Sequence, residues 1–242
     1  MMNKYSHSKT ILKREYCNAL QNVSSNEDAD RIKKKYEHCF LTVKFAKKIF
    51  SCHTYECSLY LLHDIGRFID LSNQSNHAYK GYNYLLGDEK YNDLDLIPIM
   101  LHEEDTNWTD LLENNLRFLS LNDQKKLLVV ENIKRLKDCD ILANLVQMIG
   151  SFMFDDIDLD DEIYKNCIND RICLHDKDGY LNKCMYIICG IYILNFPETL
   201  HYVKNSKIIL KFFDMVINNE KREVTREKLM KCKEHLIEKK FI

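Results

Sequence analysis

Residues 58–68 read SLYLLHDIGRF. Leu59, Tyr60, Leu61 and Leu62 make an apolar run, and His63 and Asp64 follow it directly. Such a run belongs in a core. An unpartnered charge there costs several kcal/mol or is driven to neutralise. His63 and Asp64 therefore call for a buried counterpart, either a cation or a second side chain.

Composition sets the kind of core. The chain has 242 residues, 45% hydrophobic and 30% charged, enough for one large domain or two small ones. It holds only 2 prolines and 6 glycines. Sheet proteins of this size need many tight turns, and those turns use Gly and Pro. The expected class is all-α, a helical bundle.

The formal charge of -2 gives no global bias toward nucleic acid or acidic membranes. Acids dominate from Leu86 to Glu113 and in DDIDLDDE (155–162), and bases from Lys204 to Lys240 in a helix-like pattern read as a solvated face. Ten cysteines include no C-x-x-C pair, and the opening MMNKYSHSKTILKREY is polar. Free thiols in a reducing cytoplasm, mostly filling the core, are the simplest account. The uncharged run CMYIICGIYILNFP (184–197) falls short of the ~20 residues of a membrane span and reads as a buried helix.

Along the chain, Ser25 or Asn26 starts a helix on which His38 shares a stripe with Leu41, Phe45 and Ile49. A second helix runs from about Tyr55 and ends near Gly66. A loop covers 69–76, and HAYKGYNYLL (77–86) opens another helix with Asn76 as its cap. Pro98 suits the first turn of a helix leading into IMLHEE. Residues 124–150 read as helix, with Leu136, Asp140, Asn144 and Gln147 on one face and Gly150 as C-cap.

Polar residues on these apolar stripes are His38, His63, Asp64, His77, His102 and Asp140, spread over separate helices apart from the adjacent pair. Bundle cores build metal sites from inward-pointing His and Asp/Glu. Imidazole and carboxylate donors suit Fe, Mn, Zn, Ni or Co. A divalent ion would offset the buried carboxylates and acidify a bound water. Two ions could share Asp64.

The order H…HD…D, filled by His38, His63–Asp64 and Asp140, resembles the HD superfamily of metal-dependent phosphohydrolases. LLHDIGRF is similar to its central motif, EHCFLTVKFAKKI to the helix of its first ligand, and NHAYKGYNYLL to the H-x-x-x-G segment of its two-metal members. IMLHEE resembles the segment of a further histidine. LKDCDILANL resembles endings in which the second aspartate is the ligand, hence Asp140 and not Asp138. The resemblance covers residues 31–150 as an HD-type core. It leaves 1–30 as a helical lead-in and 151–242 as a helical extension packed on the core in one compact domain.

This resemblance implies hydrolysis of a phosphate ester or anhydride, with a small phosphate compound such as a nucleotide as substrate. It implies one or two divalent transition-metal ions: a first on His38, His63, Asp64 and Asp140, a second on His77 and His102. Asp64 and Arg67 would act at the reacting group, with Arg67, Lys80 and Asn144 as substrate contacts and Glu103 or Glu104 as a candidate general base. HDIGRF stands where guanosine-tetraphosphate hydrolases of the superfamily carry HD-x-x-E-D, and no Gly-Tyr-Pro signature is present. DDIDLDDE lacks the sixth-position glycine and twelfth-position glutamate of a calcium loop. No phosphate-cradling G-x-x-x-x-G-K and no G-x-S-x-G occur.

The leading expectation is a cytoplasmic, divalent-metal phosphohydrolase or phosphodiesterase. A non-catalytic module that binds a nucleotide second messenger is the alternative. A single-strand nuclease is the third, against which the acidic stretches around His102 weigh. The pattern specifies neither an oligomeric state nor one substrate.

Overall fold

The computed structural model of the chain describes residues 3–54, 56–71, 76–103, 107–173 and 177–242. Among the described residues it is all-α, with no strand. Two compact units divide it, Met1–Cys139 and Asp140–Ile242.

The first unit contains α1 (Lys4–Gln21), α2 (Asn26–Phe50), α3 (Cys57–Leu62), α4 (Gly66–Ile69), α5 (His77–Leu85), α6 (Asp93–Leu101), α7 (Trp108–Glu113), α8 (Leu116–Leu119) and the first part of α9 (Asp123–Gly150). α1 packs on α2, α3 and α4, while α3 and α5 both pack on α6. The Ser25 hydroxyl caps α2, accepting from the Asp28 amide at 3.0 Å. The buried face of α2 carries His38, Cys39, Thr42, Val43, Phe45 and Ala46. It is centred between His38 and Cys39, so Leu41 falls on its flank and Ile49 in the last turn, both half-buried.

The helix expected to close near Gly66 stops earlier. α3 ends at Leu62, and its anticipated start at Tyr55 lies outside the described residues. His63 to Ile65 then form a tight turn of i→i+3 bonds: Ile65 N to Leu62 O and Arg67 N to Asp64 O, both 3.0 Å. Gly66 opens α4 instead of ending a helix. The reason is contact with α5. A Cβ on Gly66 would lie 2.0 Å from the His77 carbonyl oxygen and 2.9 Å from the Gly81 nitrogen. A Cβ on Gly81 would meet the Ile65 side chain at 3.0 Å. Two bare backbones thus touch here, and that contact sets the start of α5 beside Asp64.

Two expected helix starts also differ. Asn76 precedes α5 in a left-handed conformation (φ 56°) that Asn tolerates, and its side chain makes no cap bond. The loop expected over 69–76 lies partly, at 72–75, outside the described residues. Pro98 sits inside α6, not in its first turn, because Asn92 starts the helix with a capping box completed by Asp95. A proline cannot donate to the carbonyl four residues back. That carbonyl, Leu94 O, accepts from Asn132 Nδ2 of α9 at 3.1 Å instead. Asn132→Ala should cost about 1–2 kcal/mol by leaving this acceptor unmatched. Urea denaturation measures it, and an unshifted midpoint refutes the substitution of one bond for the other.

α6, α7 and α9 share an apolar cluster of Ile97, Leu101, Leu112, Val129 and Ile133. It holds the C-terminal part of α6 against α9 within the first unit.

The second unit contains the rest of α9, α10 (Asp161–Cys167), α11 (Tyr180–Cys189), α12 (Pro197–Ser206), α13 (Ile208–Asn219) and α14 (Glu223–Glu238). α10 packs on α11 and α14, and α13 packs on α14. The acidic block serves as caps and ion pairs. Asp160 caps α10 through the Glu162 amide at 2.8 Å, Asp158 accepts from Thr225 at 2.8 Å, and Asp161 pairs with Lys228 at 2.7 Å. The run 184–197 is not one helix: α11 tightens into a 3-10 turn over Gly190–Ile193. Among the described residues no helix is long and apolar enough to cross a membrane. All ten cysteines are free thiols and nine are buried, the core-filling use expected of them.

Candidate metal centre

Five helices or turns deliver the polar residues singled out by the sequence. α2 carries His38, the turn after α3 carries His63 and Asp64, α5 begins with His77, and His102 follows the last residue of α6. Asp140 is the next residue of α9 after Cys139, the end of the first unit, so helix continuity carries it. His38, His63, Asp64, His77 and His102 are each at most 5% exposed.

Asp64 lies among the four imidazoles and turns one oxygen to each pair. Its Oδ2 is 3.8 Å from His38 Nε2 and 3.7 Å from His63 Nε2. Its Oδ1 is 2.8 Å from His77 Nε2 and 3.6 Å from His102 Nε2. Within each pair the rings face each other through Nε2, at 3.3 Å for His38–His63 and 3.2 Å for His77–His102.

The backbone fixes which ring nitrogen faces inward. His63 Nδ1 lies 2.9 Å from Tyr60 O, and His102 Nδ1 lies 2.7 Å from Ile99 O. A carbonyl only accepts, so each Nδ1 carries the proton and each Nε2 presents a lone pair to the centre. Metal-ligating histidines are oriented by this kind of outer bond. Two donors each about 2.1 Å from one ion lie roughly 3.0–3.6 Å apart at ordinary angles. The separations above bracket that range.

Within the first unit the donor atoms of His63, Asp64 and His102 lie within 4.8 Å of one another. These buried groups can hold a metal ion. The resemblance makes Asp140, and not the fully buried Asp138, a ligand. Asp140→Asn should then abolish uptake of an ion that Asp138→Asn retains, a contrast that metal analysis of the two purified variants reads directly.

The electrostatics favour an ionised Asp64. Burial opposes its charge, but the Lys35 and Arg67 cations outweigh burial and hold its pKa well below the usual carboxylate range. Burial also works to lower the His77 pKa, yet hydrogen bonds to Asp64 and Glu103 prevail and raise it. At His102 burial wins and the pKa falls.

Other expected residues take varied positions. Arg67 Nε donates to Asp64 Oδ1 at 2.9 Å, steadying the carboxylate. Asn144 Nδ2 donates to Asp140 Oδ1 at 3.2 Å and so orients that carboxylate. Lys80 pairs with Asp70 at 2.7 Å. Glu103 lies 3.1 Å from His77 Nδ1, the place of an orienting carboxylate. Glu104 lies outside the described residues.

No family model, curated protein or solved structure matches this chain. The site therefore rests on its own geometry.

Three contributors escaped the sequence reading. Lys35 stands 3.6 Å from Asp64 Oδ2, one turn before His38, where it reads as a surface lysine. The Tyr60 and Ile99 carbonyls leave no side-chain signal at all. Spacing alone could have flagged Lys35, since positions three apart share a helix face.

Proposed function

We propose that the chain is a divalent-metal-dependent phosphohydrolase acting on a nucleotide or related small phosphate compound. One observation carries the reading: a single buried carboxylate, Asp64, faces one histidine pair with each oxygen. The donor set of imidazoles and carboxylates fits Fe, Mn, Co, Ni or Zn. The order of those donors along the chain, with the HDIGRF stretch at its centre, resembles the HD superfamily.

His38, His63, Asp64 and Asp140 would hold one ion, and His77 and His102, with Asp64 shared, a second. An ion so held supplies Lewis acidity and acidifies water near neutral pH. The chain's own groups would do the rest. Arg67 and Lys35, with side chains 24% and 29% exposed, stand on the solvent side of Asp64 as cations for a phosphoryl oxygen. Glu103 would steady His77 through Nδ1.

The test is metal analysis of anaerobically purified protein, then phosphate release from a broad nucleotide panel. One or two ions per chain and chelator-sensitive release are expected. Protein that takes up no divalent metal under reducing conditions sinks the proposal. Tight binding of a nucleotide recovered unchanged would turn the assignment to a binding module.

A further inference from the structure

We propose that Lys137 sets how many ions the centre holds, by tying the His102 end of α6 to α9. This rests on the two-ion reading above and deepens it.

Lys137 is 6% exposed, an unusual place for an ammonium. Its Nζ donates to the main-chain carbonyl of His102 at 3.0 Å. His102 stands just past the last turn of α6, where carbonyls lack intrahelical partners and the helix end is negative. The α6–α9 apolar cluster reaches Leu101 on one helix and Ile133 on the other. Lys137 follows Ile133 by four residues, so it extends that same face by one turn. Asp140 comes three residues later, again on that side of the helix.

Beyond its contacts inside the centre, His102 is held by two bonds to main-chain carbonyls. The bond from Nδ1 to Ile99 O sets the ring against its own helix. The bond from Lys137 sets the peptide of that residue against the helix that carries Asp140. Removing the second leaves the ring correctly rotated on a helix end that is free to drift. The donors of the second ion, Asp64, His77 and His102, would then spread apart, while His38 and His63 stay in place.

A rival physical effect predicts the reverse. An ammonium near a cation site repels the ion, so its removal would tighten binding. Positioning and repulsion are thus separable by sign.

The experiment is titration of the metal-free full chain with Co2+, followed by its visible absorption and by mass spectrometry under native conditions. Wild type should take up two ions, and Lys137→Met one, matching His102→Ala. Affinity for the second ion should fall on the order of 10–100-fold, the usual effect of losing an outer support, with the first unchanged. Lys137→Arg should restore the second ion. If Lys137→Met does not fold by circular dichroism, Lys137→Gln is read in its place. Two ions bound by Lys137→Met with unchanged or tighter affinity overturns this inference alone. A wild type that binds one ion overturns it as well. A wild type that binds none overturns it together with the metal reading.

Discussion

Asp64→Ala should empty the centre of ions and abolish phosphate release. The effect should exceed the ~100-fold that changes to an outer support reach, because this carboxylate faces all four imidazoles. Without it, the two rings of each histidine pair confront each other, at 3.3 and 3.2 Å, with no anion beside them. Arg67 and Lys35 lose their common partner as well. Elemental analysis and a melting curve with and without added metal make the measurement. Wild type should melt higher with metal, as any ligand of the native state requires, and the variant should not respond. A variant that retains stoichiometric metal would remove Asp64 from the centre.

Gly66→Ala should be the most damaging single methyl group in the first unit. The new Cβ would meet the His77 carbonyl oxygen at 2.0 Å, and backbone cannot rotate away as a side chain does. Ordinary overpacking of a core costs about 1–3 kcal/mol. A collision between two main chains belongs at or beyond the top of that range, against a total stability of roughly 5–15 kcal/mol. Relief requires α5 to move off α4, and His77 would move with it. The expected result is a large drop in the urea midpoint, together with loss of the second ion in protein that still folds. Gly87→Ala is the control, since a Cβ there meets nothing within 4 Å. Equal midpoints for the two variants would show that the α4–α5 contact is not tight.

The residues themselves determined the class of fold and which polar side chains the core had to accommodate. Scarce Gly and Pro and long stretches of helical spacing require helices, because turns and strands need other residues. An HD pair at the end of an apolar run has to be buried and partnered, and the remaining histidines on apolar stripes were candidate partners. Choosing Asp140 over Asp138 came from resemblance and not from spacing.

Tertiary structure decided what local pattern does not encode. Gly66 reads as a helix stop, yet it opens α4, because the carbonyl it must avoid belongs to a residue eleven positions on. Pro98 reads as a first turn, yet it lies inside α6, because a side chain from α9 satisfies the carbonyl it strands. Lys35 and Lys137 read as ordinary helix lysines, and only the approach of other segments makes them partners of Asp64 and His102. Hydrophobic period reports which face of a helix is buried. It carries no information about which distant backbone or charge that face will meet.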